Sequence, residues 1–212
     1  MCCRYWTEES PEIRPIVEEM NRSPLTQALR ARGEEPRCRG EIRPADTAAV
    51  LAPSRSGKRA VFPMKWGFSG KGLVINARSE TAGERPLFRE SWRAHRCAVP
   101  ATGYIEWEHL LRGGKKRTGD AFRIRPREQD LTWLCGLYRM EEGFPHFVIL
   151  TREAEEEIRF IHDRMPLIMP RALLDEWLRP DSCPEALLSR AVREMRFETL
   201  KTNTEKLQGV CV

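Results

Sequence analysis

The sequence predicts an α+β fold, a mainly antiparallel β-sheet core flanked by helices. Three observations predict it. Short apolar, β-branched or aromatic runs crowd the middle of the chain, between residues 47 and 151. Segments with apolar residues at helical spacing lie outside that region, before residue 32 and after residue 152. No repeat and no linker interrupts the order helix, many strands, helices, so residues 1–212 read as a single domain.

Taken in order, Ser10-Pro11 reads as a helix N-cap with proline in the first turn. Ile13, Ile16, Val17 and Met20 follow on one helical face, and Ser23 to Ala31 forms a second short helix. Residues 32–46 are rich in Gly, Pro, Arg and Glu and read as a loop. Thr47–Leu51 and Arg59–Phe62 are strands, and Pro63 to Phe68 is a strand end turning into a loop. Leu73–Ala77 is a short buried strand that switches abruptly to Arg78-Ser79-Glu80-Thr81, a common way to present a site. Pro86–Trp92 is a helical turn. Further strands fall at Cys97–Pro100, Gly103–Trp107, Phe122–Ile124, Trp133–Tyr138 and Phe147–Thr151, with Arg112–Asp120 as a mobile hairpin loop. Glu153–Ile161 is helical, with Ala154, Ile158 and Ile161 on one side. Helices around Leu173–Leu178 and Pro184–Val192, an edge strand at Phe197–Leu200 and a polar tail close the chain.

The chain has 212 residues, 41% hydrophobic and 32% charged, a globular composition with ample length for a core. It lacks a run of about 18 apolar residues and a basic-then-apolar leader, which predicts no membrane span and, by default, a cytoplasmic location. Seven cysteines, odd in number and without a C-x-x-C pair, indicate neither a disulfide framework nor a zinc ribbon. Cys97 and Cys135 sit in apolar runs and read as small core residues. The four histidines, at 95, 109, 146 and 162, show no ligand spacing, so no metal and no cofactor is expected. The net charge of +5 is compatible with a phosphate-tracking groove without requiring one.

The chemistry gathers around the start, Met1-Cys2-Cys3-Arg4-Tyr5. Removal of Met1 would leave Cys2 with a free α-amine and a thiol on adjacent carbons. The amine condenses with an aldehyde to a Schiff base, and the thiol then closes a thiazolidine. An α-amine titrates at roughly 7.7–8.0, so part of it is unprotonated near neutrality. Three further segments place polar groups where a core would not: Asn76 to Thr81 after a buried strand, Glu106 within Gly103-Tyr104-Ile105-Glu106-Trp107, and His162-Asp163-Arg164-Met165-Pro166. Each has an ordinary structural explanation: a capping asparagine, a surface glutamate, a helix-end histidine.

Together with Trp66-Gly67 and Arg96 to Ala101, these motifs resemble the SRAP (SOS response-associated peptidase) family of abasic-site processing proteins, in the right order over roughly residues 1–180. The resemblance implies autocatalytic removal of Met1 and trapping of an abasic site in single-stranded DNA by Cys2, with β-elimination as a related lyase outcome. Carried over by position, Cys2, Asn76, Glu106 and His162 would be catalytic, and Arg4, Trp66, Arg78 and Arg164 would hold DNA. Glu106 would manage the amine proton, Asn76 would position without charge, and His162, titrating near neutrality, would serve the sugar oxygen. The arginines would take phosphates and Trp66 would stack on a base. Cys3 stands where the family has glycine. The resemblance implies no metal and no cofactor, and a monomer that associates with abasic single-stranded DNA. Two rival readings remain: an N-terminal-nucleophile cysteine protease acting on other proteins, and a single-strand-binding module in which Cys2 is incidental.

Overall fold

The computed structural model describes residues 2–112 and 115–200. Twelve strands in two sheets form the body: β1 Arg4–Thr7, β2 Gly40–Ile42, β3 Thr47–Pro53, β4 Arg59–Trp66, β5 Asn76–Arg78, β6 Arg96–Ala101, β7 Gly103–Arg112, β8 Lys115–Pro126, β9 Thr132–Glu141, β10 Phe144–Glu153, β11 Arg164–Pro166 and β12 Met195–Leu200. Helices α1 Ile13–Arg22, α2 Pro24–Arg30, α3 Arg89–Ala94, α4 Leu174–Leu178 and α5 Pro184–Leu188 flank them. No helix among the described residues is long and apolar enough to cross a membrane.

The first sheet runs β12-β8-β7-β1-β2, antiparallel throughout. The second runs β11-β10-β4-β3-β6-β9, and because β9 also pairs with β10 the middle of it closes into a ring. Two parallel strand pairings, β10 with β4 and β10 with β5, and an isolated parallel bridge between Arg37 and Ala48 depart from an otherwise antiparallel architecture. One apolar cluster draws on both sheets, joining Tyr5, Tyr104 and Ile124 of the first to Val50, Trp66, Phe147 and Ile149 of the second. Burial of this kind, at about 25 cal/mol per Å² of apolar surface, is the main force holding the sheets together. Cys97 and Cys135 are fully buried within the core, as expected of small apolar side chains.

Several expected boundaries move, for identifiable reasons. Helix α1 starts at Ile13, two residues later than Ser10-Pro11 implies, although the Ser10 hydroxyl still accepts the Ile13 N–H at 3.2 Å. The 32–46 segment is not all loop, because Gly40–Ile42 adds to the edge of β1. Strand β4 runs through Pro63 to Trp66; on the edge away from β3 it pairs with β10 only at Lys65 and Trp66, so a missing N–H at Pro63 costs little. The polar Arg112–Asp120 segment is not a loop in its described part: residues 115–120 belong to β8, and those from Arg117 to Asp120 are mostly exposed, so no apolar alternation marks them. The helix expected over 153–161 shrinks to a single 3-10 turn, Glu156–Ile158, while Ala154, Ile158 and Ile161 still enter the core. The last helix stops at Leu188 rather than Val192. The polar tail beyond Leu200 lies outside the described residues.

Candidate active site

Cys2 lies immediately before β1 and is completely buried at the seam between the two sheets. Its backbone carbonyl accepts the Asn76 amide Nδ2–H at 2.8 Å, and its Sγ approaches the Arg4 carbonyl at 3.6 Å. Asn76 is in place because β5 pairs in parallel with β10, Asn76 opposite Ile149, directly after Trp66 donates its indole N–H to the Ile75 carbonyl at 2.9 Å. The Trp66-Gly67 pair thereby gains a structural reason. Gly67 has φ +123°, and a Cβ there would collide with Leu73 on the returning chain.

Glu106 approaches the site from β7, on the face shared with Phe122 of β8, and is 3% exposed. Its Oε1 accepts the Trp107 backbone N–H at 3.3 Å. Burial raises the carboxyl above the ordinary carboxylate range, while that hydrogen bond and nearby His109 pull it back. Cys2 feels the same surroundings. Its thiol is pushed well above the usual range, first by burial and then by the negative charge of Glu106.

His162 is buried after the 3-10 turn. The Arg164 backbone N–H donates to Nδ1 at 2.9 Å, which fixes a neutral ring with its proton on Nε2. The Asp163 carboxylate, mostly in solvent, lies 2.7 Å from the same nitrogen and accepts from it only when Nδ1 carries a proton. Burial and neighbouring positive charge, including His109, lower His162 to about 4, so the neutral arrangement prevails at pH 7. The expectation of near-neutral titration is therefore corrected: a ring shielded from water and set among cations gives up its proton early.

His109 is a residue that sequence reasoning missed. It follows Glu106 by three positions, which strict alternation assigns to the opposite face. A register shift between Trp107 and His109 disturbs that alternation, and the His109 backbone N–H reaches the Ile161 carbonyl at 3.2 Å. The His109 and His162 rings then lie 4.3 Å apart, and one donor atom each from Glu106, His109 and His162 falls within 4.8 Å of the others. The fold thus gathers a two-histidine, one-carboxylate set, a donor chemistry able to hold a transition-metal cation, which sequence spacing does not reveal. The register also brings Tyr5 opposite Tyr104, and both phenol oxygens are buried without a hydrogen-bond partner among the described residues, as is Asn76 Oδ1.

The four arginine and tryptophan positions divide. Arg78 is exposed at the end of β5, two residues from Asn76. Arg4, partly exposed, lies with its guanidinium 4.6 Å from the Trp107 ring centre and pairs with Glu41 at 2.9 Å. Trp66 is a correction: it is fully buried, stacked on Phe147 and tilted against Tyr5, and offers no face to a base. Arg164 is a second correction. Both its terminal nitrogens bond Glu80 at 2.8 Å, and one also reaches the Thr151 carbonyl, so its fork is committed to tying β11 to the 78–81 turn rather than to a phosphate.

A family model described as SOS response associated peptidase (SRAP) matches residues 1–206. The chain belongs to the SRAP family. Among curated relatives, it is 36% identical to the abasic site processing protein YoaM of Bacillus subtilis over 122 residues, 55% of this chain and 52% of that protein. It is 29% identical to the abasic site processing protein YedK of Escherichia coli over 141 residues, 64% of this chain and 62% of that protein. The alignments span about half the length of the first such relatives. The SRAP chain also shares its fold with a phage-related protein of Bordetella bronchiseptica, at a TM-score of 0.70 and 22% identity over 95% of both chains. A protein of Bacteroides thetaiotaomicron gives a TM-score of 0.68 at 20% identity over 95% of this chain and 93% of that one.

Proposed function

We propose that this protein processes abasic sites in single-stranded DNA by forming a covalent bond through Cys2. The observation that carries the reading is the Asn76–Cys2 contact at 2.8 Å beside buried Glu106, which holds the N-terminal segment at a cluster of proton-handling groups. Hydrolysis of the Met1–Cys2 peptide bond would release methionine and free the Cys2 amine; Met1 itself lies outside the described residues. The amine adds to the aldehyde carbon of the ring-opened sugar, and the carbinolamine loses water to give an imine. The Cys2 sulfur then bonds to the imine carbon, and its proton ends on the ring nitrogen of the thiazolidine.

The site residues suit these steps. Glu106, raised toward neutrality by burial, can take a proton from the amine and return it as water leaves. His162, neutral at pH 7 with its Nδ1 held by the Arg164 N–H, would offer an Nε2–H to a sugar oxygen. Asn76 fixes the backbone of the nucleophile without adding charge. Strand cleavage by β-elimination draws on the same imine. Exposed Arg78 suits a phosphate contact, and Arg4 would meet one by exchanging its Glu41 partner for it. A peptidase directed at other proteins is disfavoured, because that role calls for a stabilised thiolate and here burial and Glu106 push the thiol the other way.

Intact-mass measurement after incubation with an abasic oligonucleotide tests the proposal. The expected wild-type product has lost Met1 and gained the oligonucleotide mass, while Cys2→Ala forms no heat-stable adduct yet still binds intact strands. An undiminished stable adduct from Cys2→Ala overturns it.

A further inference from the structure

On the face of the first sheet away from the shared core, the register aligns Arg4, Ile105, Arg123 and Glu198 across β1, β7, β8 and β12. Directly opposite residues share a face, and so do residues two apart along a strand. Arg125, two positions from Arg123, therefore joins this face, and the register sets it directly opposite Arg196. Like charges placed directly opposite one another cost a strand pair stability. Nothing local relieves this pair: among the described residues neither Arg123, Arg125 nor Arg196 forms an ion pair. Glu198 faces Arg123 without bonding to it, and Arg123 Nε is buried without a hydrogen-bond partner. The three guanidinium-bearing side chains, with Phe197 and Glu198, line an open depression of about 160 Å³.

The depression shares the outer sheet face with Arg4, which follows Cys2 by two residues. The Arg123 guanidinium lies 5.3 Å from the Trp6 ring centre, as Arg4 lies over Trp107, so tryptophan faces support two guanidinium groups along one row. Gly103 makes room for this, because any Cβ there would run into the Trp6 ring and the Ile124 carbonyl. From β1 to β12 is three strand spacings, roughly 14 Å at about 4.8 Å each.

We propose that Arg125 and Arg196, with Arg123 beside them, form a distal phosphate site for the same single strand whose abasic sugar reaches Cys2. The inference rests on the proposed function. A phosphodiester supplies the missing anion, and a planar permanently charged fork is the side chain suited to it. The strand would leave the Cys2 site past Arg4, cross the outer face of β7 and β8, and place a backbone phosphate between Arg125 and Arg196.

The test compares wild type, Arg125→Ala/Arg196→Ala and Arg125→Lys/Arg196→Lys on two single-stranded abasic oligonucleotides. One is a 15-mer with a central lesion; the other has one nucleotide on each side, too short to cross the sheet. The alanine double variant is expected to weaken binding of the 15-mer and to reduce the salt slope by about 0.7 for the phosphate lost. It should leave the trimer unaffected, and the lysine variant should keep most of the slope. An unchanged slope on the 15-mer overturns the proposal, as does an equal loss on both lengths. A wild type that forms no adduct on either length, yet shows the length-dependent slope, condemns the Cys2 reading and keeps the phosphate site.

Discussion

At the scale of single residues, the site combines a carboxyl raised by burial with an imidazole lowered by it. The two have opposite stability consequences. His162 titrates at about 4 in the folded chain against an ordinary 6.5. Between those values the unfolded chain binds the proton and the folded chain does not, so its stabilising share is complete above pH 6.5 and is lost as the pH falls toward 4. His162→Gln should flatten that acid limb by about 2–3 kcal/mol, read as the change in urea midpoint between pH 7 and pH 4. Glu106 works the other way: its folded pKa is raised, so burial of the charge costs stability at neutral pH and is relieved on acidification. Glu106→Gln is expected to raise the melting temperature at pH 7, by about 1 kcal/mol of stability, while slowing both Met1 removal and adduct formation. A variant that is destabilised and fully active would refute the assignment of this residue.

Secondary-structure elements carry their own tests. The β9–β10 connection is two residues, Glu142 and Gly143, with φ of 50° and 79°, the left-handed pair that a type I′ hairpin demands. Glu142 adopts at some cost what asparagine or glycine adopts readily. Glu142→Asn should therefore stabilise the fold by about 0.5 kcal/mol without touching the site, as read by thermal denaturation. Strand β11 depends on Arg164, whose fork spans Glu80 and the Thr151 carbonyl. Arg164→Ala is expected to cost about 1–2 kcal/mol, Glu80 being half in solvent, and to loosen the 78–81 turn. Because that fork is occupied, the variant should leave the salt slope of DNA binding unchanged; a drop of about 0.7 would restore Arg164 as a phosphate contact.

For the molecule as a whole, the seam between the sheets is both the hydrophobic core and the floor of the site. Trp66 is its largest fully buried side chain, so Trp66→Ala should cost about 3–5 kcal/mol. Trp66→Leu should recover part of that loss and retain DNA affinity, an outcome opposite to the one a stacking residue would give. Arg96 has an equivalent role beneath the helices. It is 1% exposed, and its guanidinium donates to the carbonyls of Trp92, Arg93, Trp177, Arg179 and Ser182 and to the Ser182 hydroxyl. It ties α3 and α4 to β6 without a carboxylate partner. Arg96→Met removes these donors and should destabilise by about 3 kcal/mol or more, measured as a lower urea midpoint.

The sequence by itself determined the α+β class, the central strands and the buried cysteines, because each rests on local pattern, and its motifs singled out Cys2, Asn76, Glu106 and His162 as the candidate site. Its polar strand residues 117–120 were illegible, since strand residues exposed to water carry no apolar alternation, and the 153–161 helix was overcounted because three core residues at helical spacing also fit a 3-10 turn followed by loop. Tertiary structure alone decided the rest. It buried Trp66 and occupied Arg164, which sequence assigned to DNA, because burial and pairing depend on what packs opposite. It drew His109 to His162 through an irregularity that a period-two pattern cannot express, and set Arg125 against Arg196 through a register no local window contains. Proton affinities followed the same rule: how far Glu106 rises and His162 falls depends on the water excluded and the charges gathered by residues distant in the chain.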